Sequence, residues 1–133
     1  MQKMKLVCAV AAAALMAGCR TEKNAACCGS CGGGASVKLI TIDPGHFHAA
    51  LVQKRMYPGV SPQVRVYAPA GDDLKMHMAR VEGFNTRAED PSAWESVVYA
   101  GDDFLDRAVK EKAGNVVVLA GNNARKTEYI LKC

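Results

Sequence analysis

Two stretches of this chain have the same build. Residues 37–51 read VKLITIDPGHFHAAL, and residues 115–130 read NVVVLAGNNARKTEYI. In each, a continuous apolar run enters a turn of small or polar residues and leaves toward a helix. Strands that are apolar on both faces belong in a parallel sheet covered on both sides, because only there does every side chain find apolar packing. The turn that joins such a strand to a helix gathers unpaired backbone N–H groups, which carry partial positive charge and suit an anion. A candidate ligand site therefore falls on Asp43, Pro44, Gly45, His46, Phe47 and His48, together with Gly121, Asn122 and Asn123.

The rest of the folded region fills in the alternation. The first strand is expected at 37–42 and the first helix at 46–56, ending before Pro58 and Gly59. A second strand at 63–67 is followed by a helix that Asp72 or Asp73 can cap, running through Leu74, Met78 and Val81 to a stop at Gly83. A third strand is expected at 96–99. Asp102 and Asp103 are expected to cap a helix over 104–112, which Gly114 closes. A fourth strand at 116–120 leads into a helix from about Ala124 to the last residue, Cys133. This β-α repetition implies a parallel α/β sheet with right-handed crossovers and strand order 3-2-1-4. Ligands bind such sheets at the carboxyl ends of the strands where the order reverses, here between the first and fourth strands.

The first residues belong to a different kind of segment. Lys3 and Lys5 precede an apolar run over 6–17 that is too short to span a bilayer and has the build of a signal peptide. It ends in LMAGC, which resembles the lipobox of bacterial lipoproteins and makes Cys19 the expected lipidation site. An ordinary signal peptide with a chance cysteine is the plainer alternative. The expected organisation is thus a lipoprotein signal peptide at 1–18, a Cys/Gly-rich tether at 19–35 and the folded domain at 36–133. Export to a lipid-anchored position on a bacterial membrane follows, in the periplasm or at the cell surface. Cys28 and Cys31 form a C-x-x-C pair within CCGSCGGG, but no second pair or histidine cluster follows at zinc-site spacing, which leaves a tether as the simpler reading. Loss of Lys3 and Lys5 with the leader takes the formal charge from +4 to +2. Charges of both signs intermix from Lys54 onward without a basic block, which argues against a nucleic-acid partner.

With DPGHFHAALV, GFNTRAE and VVVLAGNN on the page, residues 37–132 resemble the N-terminal domain of the glucose–fructose oxidoreductase / inositol dehydrogenase (Gfo/Idh/MocA) family, and in particular a branch of exported oxidoreductases. The resemblance implies a Rossmann-like domain that binds NAD or NADP, followed in the full family by a domain holding a sugar-like substrate. It also implies hydride transfer assisted by a lysine from a Glu-Lys-Pro motif, one strand beyond Cys133. On that pattern the domain is expected to be partial, cut after the fourth strand and part of its helix. The alternative is a naturally short protein that covers the open strand edge by forming a homo-oligomer. Two features depart from the family. Asp43 and His48 stand where the glycine-rich turn has its outer glycines, and Tyr67-Ala68-Pro69 stands where an acidic residue would hold the ribose. A non-enzymatic carbohydrate-binding lipoprotein on the same scaffold and an NAD-assisted glycosidase are the competing functions.

Several residues admit two readings. His46 and His48 can donate to phosphate or act as acid/base groups, or serve as a cap and a packed ring. Asn122 and Asn123 fall where the resemblance implies contact with the cofactor's ribose or nicotinamide; otherwise they form a turn and cap. Arg87, with Asn85 and Thr86, is expected in a polar loop at the same sheet edge, pairing with a phosphate or carboxylate or with a structural partner. A metal held by His48 and His77 lacks a completing carboxylate, and Trp94 reads as a packing residue.

Overall fold

The computed structural model describes residues 35–133. The leader, Cys19 and the C-x-x-C pair lie outside the described residues. Four parallel strands form one sheet: β1 (Leu39–Ile42), β2 (Gln63–Ala68), β3 (Glu95–Ala100) and β4 (Val116–Leu119). Their order is β3-β2-β1-β4, as the alternation predicts. Between and after them come α1 (His48–Leu51), α2 (Asp72–Thr86), α3 (Phe104–Glu111) and α4 (Lys126–Lys132). A 3-10 turn, Asn123–Arg125, leads into α4.

All four residues of β1 are buried, because this strand is central and covered on both faces. Alternate side chains divide between two cores. Leu39, Val64, Val66 and Ala68 pack with Ala50, Leu74, Val81 and Trp94 on the side of α1 and α2. Ile40, Ile42 and Tyr67 pack with Phe104, Leu105, Ala108 and Tyr129 on the side of α3 and α4. Trp94 is therefore a packing residue, as read from the sequence.

Three local expectations are corrected. The first helix covers only Ala49 and its neighbours, not 46–56. Beyond Leu51 the chain is held elsewhere: Arg87 donates to the Lys54 carbonyl at 2.8 Å, and the Ala93 N–H reaches the Met56 sulfur at 3.3 Å. Helix α2 runs through Gly83 to Thr86, since a glycine weakens a helix without forcing an end. The aspartates do not cap by side chain. Gly71 is the N-cap of α2, with Asp72 and Asp73 in its first turn. The N-cap of α3 is Asp103, whose carboxylate is taken by the Tyr99 hydroxyl at 2.6 Å.

Candidate functional site at the carboxyl ends of β1 and β4

The two turns singled out by sequence meet. β1 pairs with β4 from Leu39↔Val116 to Ile42↔Leu119, so the residues that follow each strand emerge side by side. The His46 N–H donates to the Ala120 carbonyl at 2.9 Å, stitching one turn to the other. A Cβ added at Gly121 would fall 2.0 Å from the Asp43 carbonyl oxygen, so only glycine permits this approach. A Cβ added at Gly45 would meet both the Asp73 carboxylate at 3.3 Å and the Gly121 Cα at 3.5 Å.

Asp43, in place of a glycine, adopts a left-handed conformation with φ 46°. Aspartate tolerates that region better than most residues. Three bonds hold the turn. The Asp43 N–H donates to the Tyr67 carbonyl at 2.9 Å, the Asp43 carbonyl accepts from the Gly45 N–H at 2.8 Å, and its carboxylate accepts from the Tyr129 hydroxyl at 2.6 Å. Burial, together with the bond to the Asp43 carboxylate, pushes the Tyr129 phenol well above its ordinary range. Arg125 lies over both Tyr129 and Phe104, which fixes the start of α4 to the α3 side of the sheet.

Several of the expected donors of this turn are already used. The N–H groups of Gly45 and His46 both bond within the protein, and the His48 N–H points to His46 Nδ1 at 3.4 Å. α1 is a single turn, too short for an appreciable macrodipole. Polar side chains line two clefts close to these turns. One, ≈ 290 Å³, is lined by His46, His48, Gly121, Asn123 and Lys126. The other, ≈ 270 Å³, is lined by Asp43, Pro44, Ala68, Gly71, Asp72 and Asp73. The first is basic and the second acidic. A third cleft, ≈ 230 Å³, lies on the α3 face of the sheet against Ile40, Val109 and Val117 and is largely apolar. It shares no lining residue with either turn and offers little to orient a polar ligand.

Other sequence candidates are resolved individually. Phe47 is exposed beside the two histidine rings, whose centroids are 4.5 Å apart. Asn122 is a cap: its side chain accepts from the Ala124 N–H at 2.9 Å. Asn123 faces the basic cleft. Asn85, Thr86 and Arg87 are not at this edge. Helix α2 starts beside the carboxyl end of β2 and runs back along the sheet, so its last residues lie at the opposite edge. There Arg87 bonds the Asp90 and Lys54 carbonyls and pairs with the Asp90 carboxylate, a structural role. Asn85 bonds both backbone groups of Trp94 and the Ser92 hydroxyl. His77 is buried in the core while His48 is exposed at the cleft. Among the described residues no group of three or more His, Cys, Asp or Glu side chains is placed to hold a metal ion. Lys126 was not singled out by sequence reasoning. The signal available was its position in the first helical turn after a strand-end glycine.

Fold and site together define a Rossmann-like α/β domain with a ligand position at the switch point of its sheet. The chain is similar to a crystal structure from Parabacteroides merdae ATCC 43184 described as a putative oxidoreductase. The two share 61% sequence identity with a TM-score of 0.73, over 76% of this chain and 23% of that one. The chain thus spans about a quarter of the length of the protein it matches. No protein-family profile matches the chain, and no curated protein does.

Proposed function

We propose that this chain is the cofactor-binding part of an exported oxidoreductase of the Gfo/Idh/MocA kind, holding a nicotinamide dinucleotide and serving a sugar-type substrate. One observation carries the reading: the turns after β1 and β4 meet at the switch point, sealed by Gly121 against the Asp43 carbonyl, with two polar clefts beside them. The oxidoreductase description of a relative at 61% identity supports it. The residues fit a dinucleotide in a particular way. Gly45 puts no side chain between Gly121, which lines the basic cleft, and Asp73, which lines the acidic one. Asp72 and Asp73 line the acidic cleft, where carboxylates can accept from ribose hydroxyls and would repel a 2′-phosphate. The reading therefore favours NAD over NADP. The nicotinamide would supply hydride chemistry; the residues of this chain bind and orient it. The lipid anchor at Cys19 is carried forward as part of the same proposal, and a Cys19→Ala protein that still incorporates radiolabelled palmitate would refute it.

Calorimetric titration tests the cofactor reading. Wild type should bind NAD at least about tenfold more tightly than NADP, as loss or gain of one charged contact implies. Gly45→Val should weaken NAD binding by a similar factor, because its branches enter the space between the clefts. Trp94→Phe, a change in the core on the α2 side, should leave affinity unchanged. Equal affinity of Gly45→Val and wild type, with both folded by circular dichroism, would place the nucleotide elsewhere. The internally bonded amides of Gly45 and His46 favour a second reading, a carbohydrate-binding lipoprotein on a Rossmann-like scaffold. Glycan binding without any NAD binding would select it.

A further inference from the structure

The amides of Gly45 and His46 are bonded within the protein, yet the cleft beside them retains a cationic lining. We propose that phosphate is recognised here by a side-chain clamp, formed by His46 and His48 after β1 and Lys126 at the start of α4, in place of a backbone-amide turn. The proposal rests on the dinucleotide reading and specifies what holds its anionic part.

Three features point to this assignment. Among the described residues Lys126 joins no ion pair and is partly buried, whereas the other lysines without a carboxylate partner, Lys38, Lys54, Lys110 and Lys112, are exposed. A lysine held against a cleft wall without a counter-charge leaves its ammonium available to a ligand anion. Both histidines lie on the same wall, with rings 4.5 Å apart. His46 Nδ1 accepts from the His48 N–H, which leaves Nε2 as the donor nitrogen of the neutral ring. Finally, no carboxylate lines this cleft. Asp73 is packed against Gly45 from the acidic cleft, and the Asp43 carboxylate is engaged by Tyr129. A phosphate is therefore attracted to the histidine–lysine side and repelled from the aspartate side. The two segments that supply the clamp are 78 or more residues apart in sequence and are joined by the His46–Ala120 bond, so the cleft is built by the fold.

The test uses the full chain and two probes, NAD and inorganic pyrophosphate, titrated into wild type, Lys126→Met, Lys126→Arg and His48→Ala. Lys126→Met and His48→Ala should each weaken both probes about tenfold or more, the loss expected for a charge-assisted hydrogen bond. Lys126→Arg should stay within about threefold of wild type, since it keeps the charge. Thermal melts confirm that each variant is folded. If NAD binds wild type, Lys126→Met and His48→Ala equally, the clamp is overturned while the cofactor reading stands. If wild type binds pyrophosphate but not NAD, and Lys126→Met loses it, the clamp stands and the cofactor reading fails. Binding of neither probe by wild type overturns both.

Discussion

His77 is the residue whose environment has the clearest consequence. It is buried on α2, and neither ring nitrogen has a hydrogen-bond partner among the described residues. Burial, with a smaller contribution from nearby Arg80, lowers its pKa from 6.5 to about 4. Between those values the unfolded chain binds a proton that the folded chain refuses. Stability therefore falls as pH drops from 6.5 toward 4, by up to roughly 3 kcal/mol, and is fully present above that window. Replacing His77 by Leu removes both the titration and two unsatisfied polar atoms. The variant should be as stable as wild type at pH 7 or more so, and denaturant unfolding from pH 7 to 4 should show a shallower loss. An unchanged pH slope would refute the assignment. The glycines offer a second comparison. Gly121→Ala drives a Cβ into the Asp43 carbonyl and should cost on the order of 3 kcal/mol or displace the turn. Gly83 lies within α2 with open space around it, and Gly83→Ala should raise stability by about 0.5–1 kcal/mol. Chemical denaturation of the two variants gives opposite signs if the backbone is as described, and the same sign if it is not.

At the scale of elements, the central strands were the most legible part of the chain. A strand buried on both faces must be apolar throughout, and VKLITI and NVVVLA state that directly. The order 3-2-1-4 and the meeting of Asp43–His48 with Gly121–Asn123 followed from the crossover rule together with the doubly-wound arrangement such sheets adopt. Helix lengths were less legible because long-range contacts decide them. Nothing local to residues 52–56 shows that Arg87 will take the Lys54 carbonyl, and nothing in Gly83 reveals that α2 will continue past it. The same limit applies to the site. Which residues gather at the switch point was readable, but which of their donors remain free was not. The His46 N–H is lost to Ala120, a partner that only the folded sheet supplies. Arg87 and Asn85 show the converse: polar residues in a loop-like sequence prove to staple the end of α2 to the segment before β3.

The described domain has unlike surfaces. At the carboxyl edge of the sheet the turns are polar and closely stitched, with clefts of opposite charge beside them. At the β4 edge and the end of α4 apolar side chains stand in solvent: Val116 and Val117 are well exposed, and Leu131 is 81% exposed. An open edge of this kind tends to pair with other polypeptide, so ligand studies belong at low protein concentration. The central claim, that a nicotinamide dinucleotide lies across the turns after β1 and β4, is tested most directly by mapping amide chemical shifts during an NAD titration of ¹⁵N-labelled protein. The account predicts that shifts concentrate at residues 43–48, 71–73 and 120–126, with little change at Val109, Lys112 and Gly114 in the apolar cleft. Saturable shifts centred on that apolar cleft, with the two turns unmoved, would contradict it.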